Sequence, residues 1–168
     1  MRTTAVKTAI DYKKVQNDLL KAWFKSEVDG KGGFNIAFHF SKYDGNVWVI
    51  DHGIAVYAIP EWAFSLDYDK LLCGSNEFKI EGLLKNNTAD LFRVEYKCEK
   101  TLNDGRHCTI FTNGVSEVST EHCINNDLLA YIKGDVYYKT SGERAPLFVF
   151  DSDTDKVVAM VMPIYGVN

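Results

Sequence analysis

Apolar residues recur along this chain in two rhythms, and the switches between them mark out its elements. Over residues 11–25, DYKKVQNDLLKAWFK, Val15, Leu19 and Trp23 fall four apart with Leu20 and Phe24 beside them. That spacing collects apolar side chains on one side of a helix. Lys14, Lys21 and Lys25 project from the other side, with Asp18 among them. Asp11 is placed to cap the first turn, and DGKGG at 29–33 ends the helix.

A period of two follows. Phe34, Ile36, Phe38 and Phe40 alternate with Asn35, Ala37, His39 and Ser41, which predicts a strand with one buried face. Tyr43–Asn46 (YDGN) turns it into Val47–Ile50, since Asp-Gly favours a tight hairpin. Asp51, His52 and Gly53 turn the chain again into a third strand, Ile54–Ile59, closed by Pro60. The first part thus reads helix, strand, strand, strand.

Residues 61–90 carry weaker patterns: a short helix is expected around Asp69–Leu72, and EFKIEGLLK suits either strand or helix. From Leu91 the two-residue period returns, with Phe92, Val94, Tyr96 and Cys98 on one face. Asn103–Gly105 leads into HCTIF, and Asn113-Gly114 into VSEVS. Asn125–Asp127 can cap a helix over DLLAYIKG that Gly134 terminates. Val136–Lys139, Leu147–Phe150 and Val157–Ile164 are three more strands, joined by polar turns. The order helix, strand, strand, strand has come round a second time. This predicts a single α+β domain over 1–168, with halves at about 1–66 and 91–168 linked by 67–90. The helices are expected on one face of curved antiparallel sheets.

Composition narrows the functional classes. At 168 residues, with 46% hydrophobic and 25% charged residues, the chain has material for one core and an ordinary surface. A net charge of −4 argues against a protein that coats nucleic acid over its whole surface, so any such contact must be local. The N-terminal MRTTAVKTAIDYKK lacks the apolar stretch of an export signal, and no run reaches membrane-spanning length. A cytoplasmic protein with reduced thiols at Cys73, Cys98, Cys108 and Cys123 is expected, with no membrane association.

The repeated order resembles the DNA sliding clamps, in which two βαβββ units make one domain and several domains close around duplex DNA. KVVAMVMPIYG (Lys156–Gly166) resembles the last strand of the bacterial clamps, which also closes on Val-Met-Pro. NNDLLAYIKGDVYYKTSGERAPLFVF is similar in order and spacing to the clamp's final helix and strands, and VWVIDHGIAVYAIP to the matching hairpin of the first half. Small clamp-like proteins of phages and mobile elements have similar stretches. The resemblance implies a DNA-clamp-like fold and a non-catalytic processivity or recruitment module. It also implies a homo-oligomer of about six copies if a ring forms. Duplex DNA would be met by a basic helix face, for which Lys13, Lys14, Lys21 and Lys25 are the candidates. The second helix fits that role poorly, since Lys133 stands between Asp127 and Asp135. A protein partner's peptide would be met by Val161, Met162, Pro163 and Ile164, the family's groove. Read without the resemblance, the lysines are a solvated helix face and the apolar tetrad is a core strand.

Other constellations point away from catalysis and metals. Asp151, Asp153 and Asp155 open like a calcium loop, but Lys156 and Met162 stand where glycine and glutamate are needed. His107-Cys108 and His122-Cys123 suggest zinc, yet neighbours on a strand face opposite ways. Asp51-His52 lacks an activated nucleophile in sequence. Gly30–Gly33 is too short for a phosphate loop and follows a helix where a strand is required. Gln16–Leu19 with Trp23-Phe24 resembles the docking peptide of clamp partners, but the aromatics fall one place late and are read as core. No catalytic residue, metal or cofactor is assigned. A second reading stays open: a phage or mobile-element protein-interaction module, for instance an inhibitor of a host defence nuclease, without intrinsic DNA binding.

Overall fold

A computed structural model describes residues 8–30, 32–72, 76–88, 90–114 and 121–165. The first helix, α1 (Tyr12–Asp29), begins where the Asp11 carboxylate accepts the Lys14 amide at 3.1 Å. It ends where Gly30 takes a left-handed φ of 63°, a conformation that glycine adopts without steric cost. Val15, Gln16 and Leu19 are buried and Trp23 half-buried. Full burial of a leucine is worth about 1.5–3 kcal/mol, so Leu19 alone contributes substantially to holding α1 down. Phe24 departs from the expected core position. It is 64% exposed, because its place on the helix lies beyond the edge of the buried stripe.

Residues 34–37 also differ from the sequence reading. They form one helical turn, α2 (Phe34–Ala37), and not the start of a strand. The Ser26 hydroxyl accepts the Phe34 amide at 3.3 Å, and the Phe34 ring enters the core against Phe38 and Phe40. Ile36 is left 77% exposed. Strand β1 (Phe38–Tyr43) begins only afterwards and runs into β2 (Asn46–Asp51) and β3 (Ala55–Pro60).

The stretch that sequence left ambiguous holds a 3₁₀ turn at Glu61–Ala63, α3 (Tyr68–Leu71) and α4 (Ile80–Asn87). Next come β4 (Phe92–Thr101), β5 (His107–Thr112), β6 (Glu121–Asn125), α5 (Asn126–Leu129), β7 (Val136–Thr140), β8 (Leu147–Asp151) and β9 (Val157–Val161). Expected strand VSEVS lies wholly outside the described residues, and β6 was not expected. Helix α5 is four residues long, not the eight of DLLAYIKG. The chain beyond it is captured by the segment before α1: Ile132 bridges Ile10, and the Lys133 amide donates to the Ala9 carbonyl oxygen.

All strand pairs are antiparallel, in the order β1-β2-β3-β9-β8-β7-β4-β5-β6. β4 joins two parts of the sheet. Phe92–Val94 pairs with β7, Glu95–Thr101 pairs with β5, and the register shifts between Tyr96 and Cys98. Alternation along β2 and β3 divides the apolar side chains between two cores. Val49, Ala55, Tyr57 and Ile59 face α1, α2, α3 and α5, with Val15, Leu19 and Leu128 packed among them. Trp48, Ile50, Val56 and Ala58 face the other way and are covered by Ile80, Leu83 and Leu84 of α4. Helices therefore lie on both faces of the sheet. α1 and α5 share one, as expected, while α4 occupies the other.

Candidate binding groove and basic helix face

Past β9 the chain crosses to the far edge of the sheet. The Met162 amide donates to the Ile54 carbonyl oxygen and the Ile164 amide to that of Cys123, both at 2.8 Å. Proline at 163 has no amide hydrogen to satisfy, so it suits a segment whose pairing switches from one strand to another. The Tyr165 hydroxyl then donates to the Arg144 carbonyl oxygen on the β7–β8 connection. These links leave a cavity of about 850 Å³ between the segment and β4–β5–β6. Buried Leu102, Ile110 and Pro163 and half-buried Ile164 and Cys123 make its apolar wall. Exposed Lys100, Glu121, Glu143 and Arg144 stand around it. Glu121 is already paired with Lys97, whose ammonium is raised above its usual range by that hydrogen bond.

The four apolar groove candidates divide. Pro163 and Ile164 line the cavity. Val161 lies in the core opposite Ala55 and Leu147, and Met162 is half-buried between the two pairings. The other apolar wall residues, Leu102, Ile110 and Cys123, lie 40 or more positions before Pro163, and no sequence pattern joins them to the C-terminal segment.

Between Glu121 and Cys123, which line the cavity, His122 is buried on β6. Its Nε2–H donates to the Gly142 carbonyl oxygen at 2.6 Å and lies 3.2 Å from the Thr140 hydroxyl, while Nδ1 has no partner among the described residues. Burial pushes this imidazole below its ordinary pKa, against the smaller opposing pull of the Gly142 bond and Glu143.

The lysine candidates lie on the other side of α1 from the core. Lys13, Lys14, Lys21 and Lys25 are all exposed. At 100° per residue Lys14, Lys21 and Lys25 fall within roughly 40° of one another, and Lys13 lies apart from that stripe. The Lys14 ammonium sits 4.3 Å over the Tyr131 ring, whose hydroxyl donates to Asp18 at 2.6 Å. Exposed Leu20, Phe24 and Val28 flank the stripe. Lys133 near α5 is committed to Asp11, whose carboxyl is held below its usual range chiefly by that bond.

Of the remaining constellations only the Cys108–Cys123 pair reaches the cavity, through Cys123. Asp51 and His52 contact each other in a turn where His52 takes a φ of 49°. Asp155 accepts the Tyr137 hydroxyl at 2.9 Å, and Asp151 caps the Asp153 amide at 2.8 Å in the β8–β9 hairpin. His107 is exposed beside buried Cys108, and its ring bonds Thr101. Among the described residues no group of three or more His, Cys, Asp or Glu side chains could hold a metal ion, and no helix is long and apolar enough to cross a membrane. Comparison with protein-family models, with curated proteins and with solved structures returned no match.

Proposed function

We propose that this chain is a non-catalytic binding protein on a clamp-like scaffold, and that it captures a short peptide of a protein partner in the cavity beneath its C-terminal segment. The observation that carries the reading is the placement of Pro163 and Ile164 on the wall of that cavity. Its size lies within the range that accommodates small ligands, and its apolar wall with a few charged groups suits two or three bulky side chains of an extended peptide. Exposed cationic groups at Lys100 and Arg144, in no ion pair among the described residues, favour an acidic residue beside them. Support for the scaffold comes from the strand order. Strands β1-β2-β3 follow α1 and α2, strands β7-β8-β9 follow α5, and the two sets meet at β3 and β9, with β4-β5-β6 continuing the sheet beyond β7.

A random heptapeptide library displayed on phage tests the reading. Selection on the protein should enrich paired apolar residues next to an acidic one, and Ile164→Asp should abolish the enrichment. Equal recovery on both proteins would refute it.

A second reading, duplex DNA contact through α1, draws on the shared stripe of Lys14, Lys21 and Lys25. Counterion release would make such binding fall steeply between roughly 50 and 200 mM salt. Anisotropy of a labelled duplex should then drop on Lys14→Glu, Lys21→Glu and Lys25→Glu together. The four-residue α5, with Asp127 in its first turn, supplies no matching basic face. Absence of DNA affinity at low salt would leave a protein-only module. A ring around DNA further requires several copies, which the mass in solution would reveal.

A further inference from the structure

Strands β5 and β6 place two thiols on one face. Ile110 stands opposite Cys123 and Cys108 opposite Asn125, so the cysteines are diagonal neighbours across the pair. The Cys123 thiol donates to Cys108 Sγ at 2.7 Å, and the Cys108 thiol donates to the Lys100 carbonyl oxygen at 3.4 Å. Cys108 is fully buried, packed with Leu102 and Ile110. Cys123 differs: it is half-buried and lines the cavity of about 850 Å³. One sulfur is open to a small solute and the other stands directly behind it. That is the asymmetry of an attacking and a resolving thiol.

We propose that Cys108 and Cys123 form a thiol–disulfide exchange site whose oxidant is a small anionic disulfide of the glutathione type. The Cys123 thiolate attacks one sulfur of the solute, breaking its S–S bond, forming a mixed disulfide and expelling one solute thiolate. The Cys108 thiolate then attacks the Cys123 sulfur, so that the protein S–S bond forms and the second solute thiolate leaves. Two protein thiols are oxidised and one solute disulfide is reduced to two thiols. The two protons that the protein loses are taken up by the departing thiolates. Lys100 and Arg144 at the cavity supply positive charge for the solute's carboxylates, beside Glu143 and a Glu121 already paired with Lys97. Burial, together with the bond to Cys108, pushes the Cys123 thiol up to about 12, against the pull of Lys100 and Arg106. The first attack is therefore slow at neutral pH and speeds up on the order of tenfold per pH unit, as the thiolate fraction grows. This site stands whether or not the cavity also takes a peptide.

The test is exposure of the intact protein to glutathione disulfide at alkaline pH, acid quenching, alkylation with N-ethylmaleimide, digestion and mass spectrometry. A linked peptide pair containing Cys108 and Cys123, lighter by two hydrogens than its separate parts, is the expected product, with exposed Cys98 left unlinked to either. Cys108→Ser should stop the reaction at glutathione on Cys123. Alkylation of both cysteines after long exposure, or glutathione retained on Cys123 of the unaltered protein, would overturn the proposal. If Cys108→Ser fails to fold, the linked pair in the unaltered protein decides alone.

Discussion

The Tyr57 hydroxyl donates to the Leu128 carbonyl oxygen at 2.7 Å, a buried bond between residues 71 positions apart. It ties β3 to α5 in the middle of the larger core, and the Tyr57 ring meets the Tyr131 ring edge-on with centroids 5.0 Å apart. Burial raises the Tyr57 hydroxyl far above its usual pKa, so it stays a donor throughout the working range.

Tyr57→Phe keeps the ring and removes the donor, leaving the Leu128 carbonyl without that bond. An unmade buried hydrogen bond costs about 1–3 kcal/mol. Urea denaturation should show a lower midpoint with an unchanged slope. An unchanged midpoint would mean that the bond contributes nothing to joining the two elements.

Gly134 is set by close approach. A Cβ built there would lie 2.9 Å from both the Ala9 Cα and the Thr8 carbonyl oxygen, all backbone atoms that cannot swing aside. Gly134→Ala should destabilise by about 1–3 kcal/mol through overpacking. Gly142→Ala, whose Cβ meets open space, serves as the control and should be near neutral in the same thermal melts.

Burial of His122 gives a pH dependence with a fixed sign. Its folded pKa lies below the ordinary 6.5, because burial disfavours the charged ring, and among the described residues Nδ1 has no acceptor to meet a second proton. Between the folded value and 6.5 the unfolded chain holds the extra proton, so stability rises with pH across that window. The contribution is fully present above 6.5 and is lost as pH falls from there through the folded value. Urea midpoints of the protein should decline on acidification through this range, and those of His122→Gln should stay flatter. Parallel curves would remove His122 as the cause.

The elements that sequence made legible are those whose local pattern agrees with their final surroundings. α1 announced itself through Val15 and Leu19 and through its caps at Asp11 and Gly30, and β2 and β3 through unbroken apolar runs between tight turns. The misreading at Phe34–Ala37 and the stretches left open share a cause in distant contacts. Phe34–Ala37 alternates like a strand, yet the Ser26 hydroxyl holds it in a turn. α4 hides in a stretch whose Ile80, Leu83 and Leu84 acquire a helical meaning only against Trp48 and Met160. β6 mixes polar and apolar residues because His122 is buried through bonds to Gly142 and Thr140, far along the chain. Of the residues that line the cavity, sequence had singled out only Pro163 and Ile164, as two of the four positions that the resemblance to clamps implied. Leu102, Ile110 and Cys123 join them through strand pairing and the Ile164 amide's bond to the Cys123 carbonyl oxygen, which no short pattern encodes.

Amide chemical-shift mapping with a library-selected peptide measures most directly whether the cavity beneath the C-terminal segment is the docking site. Shifts concentrated at Leu102, Ile110, Cys123, Ile164 and Tyr165, lost in Ile164→Asp while the rest of its spectrum is unchanged, are the predicted result. Shifts confined to α1, or none along the cavity wall at saturating peptide, would contradict it.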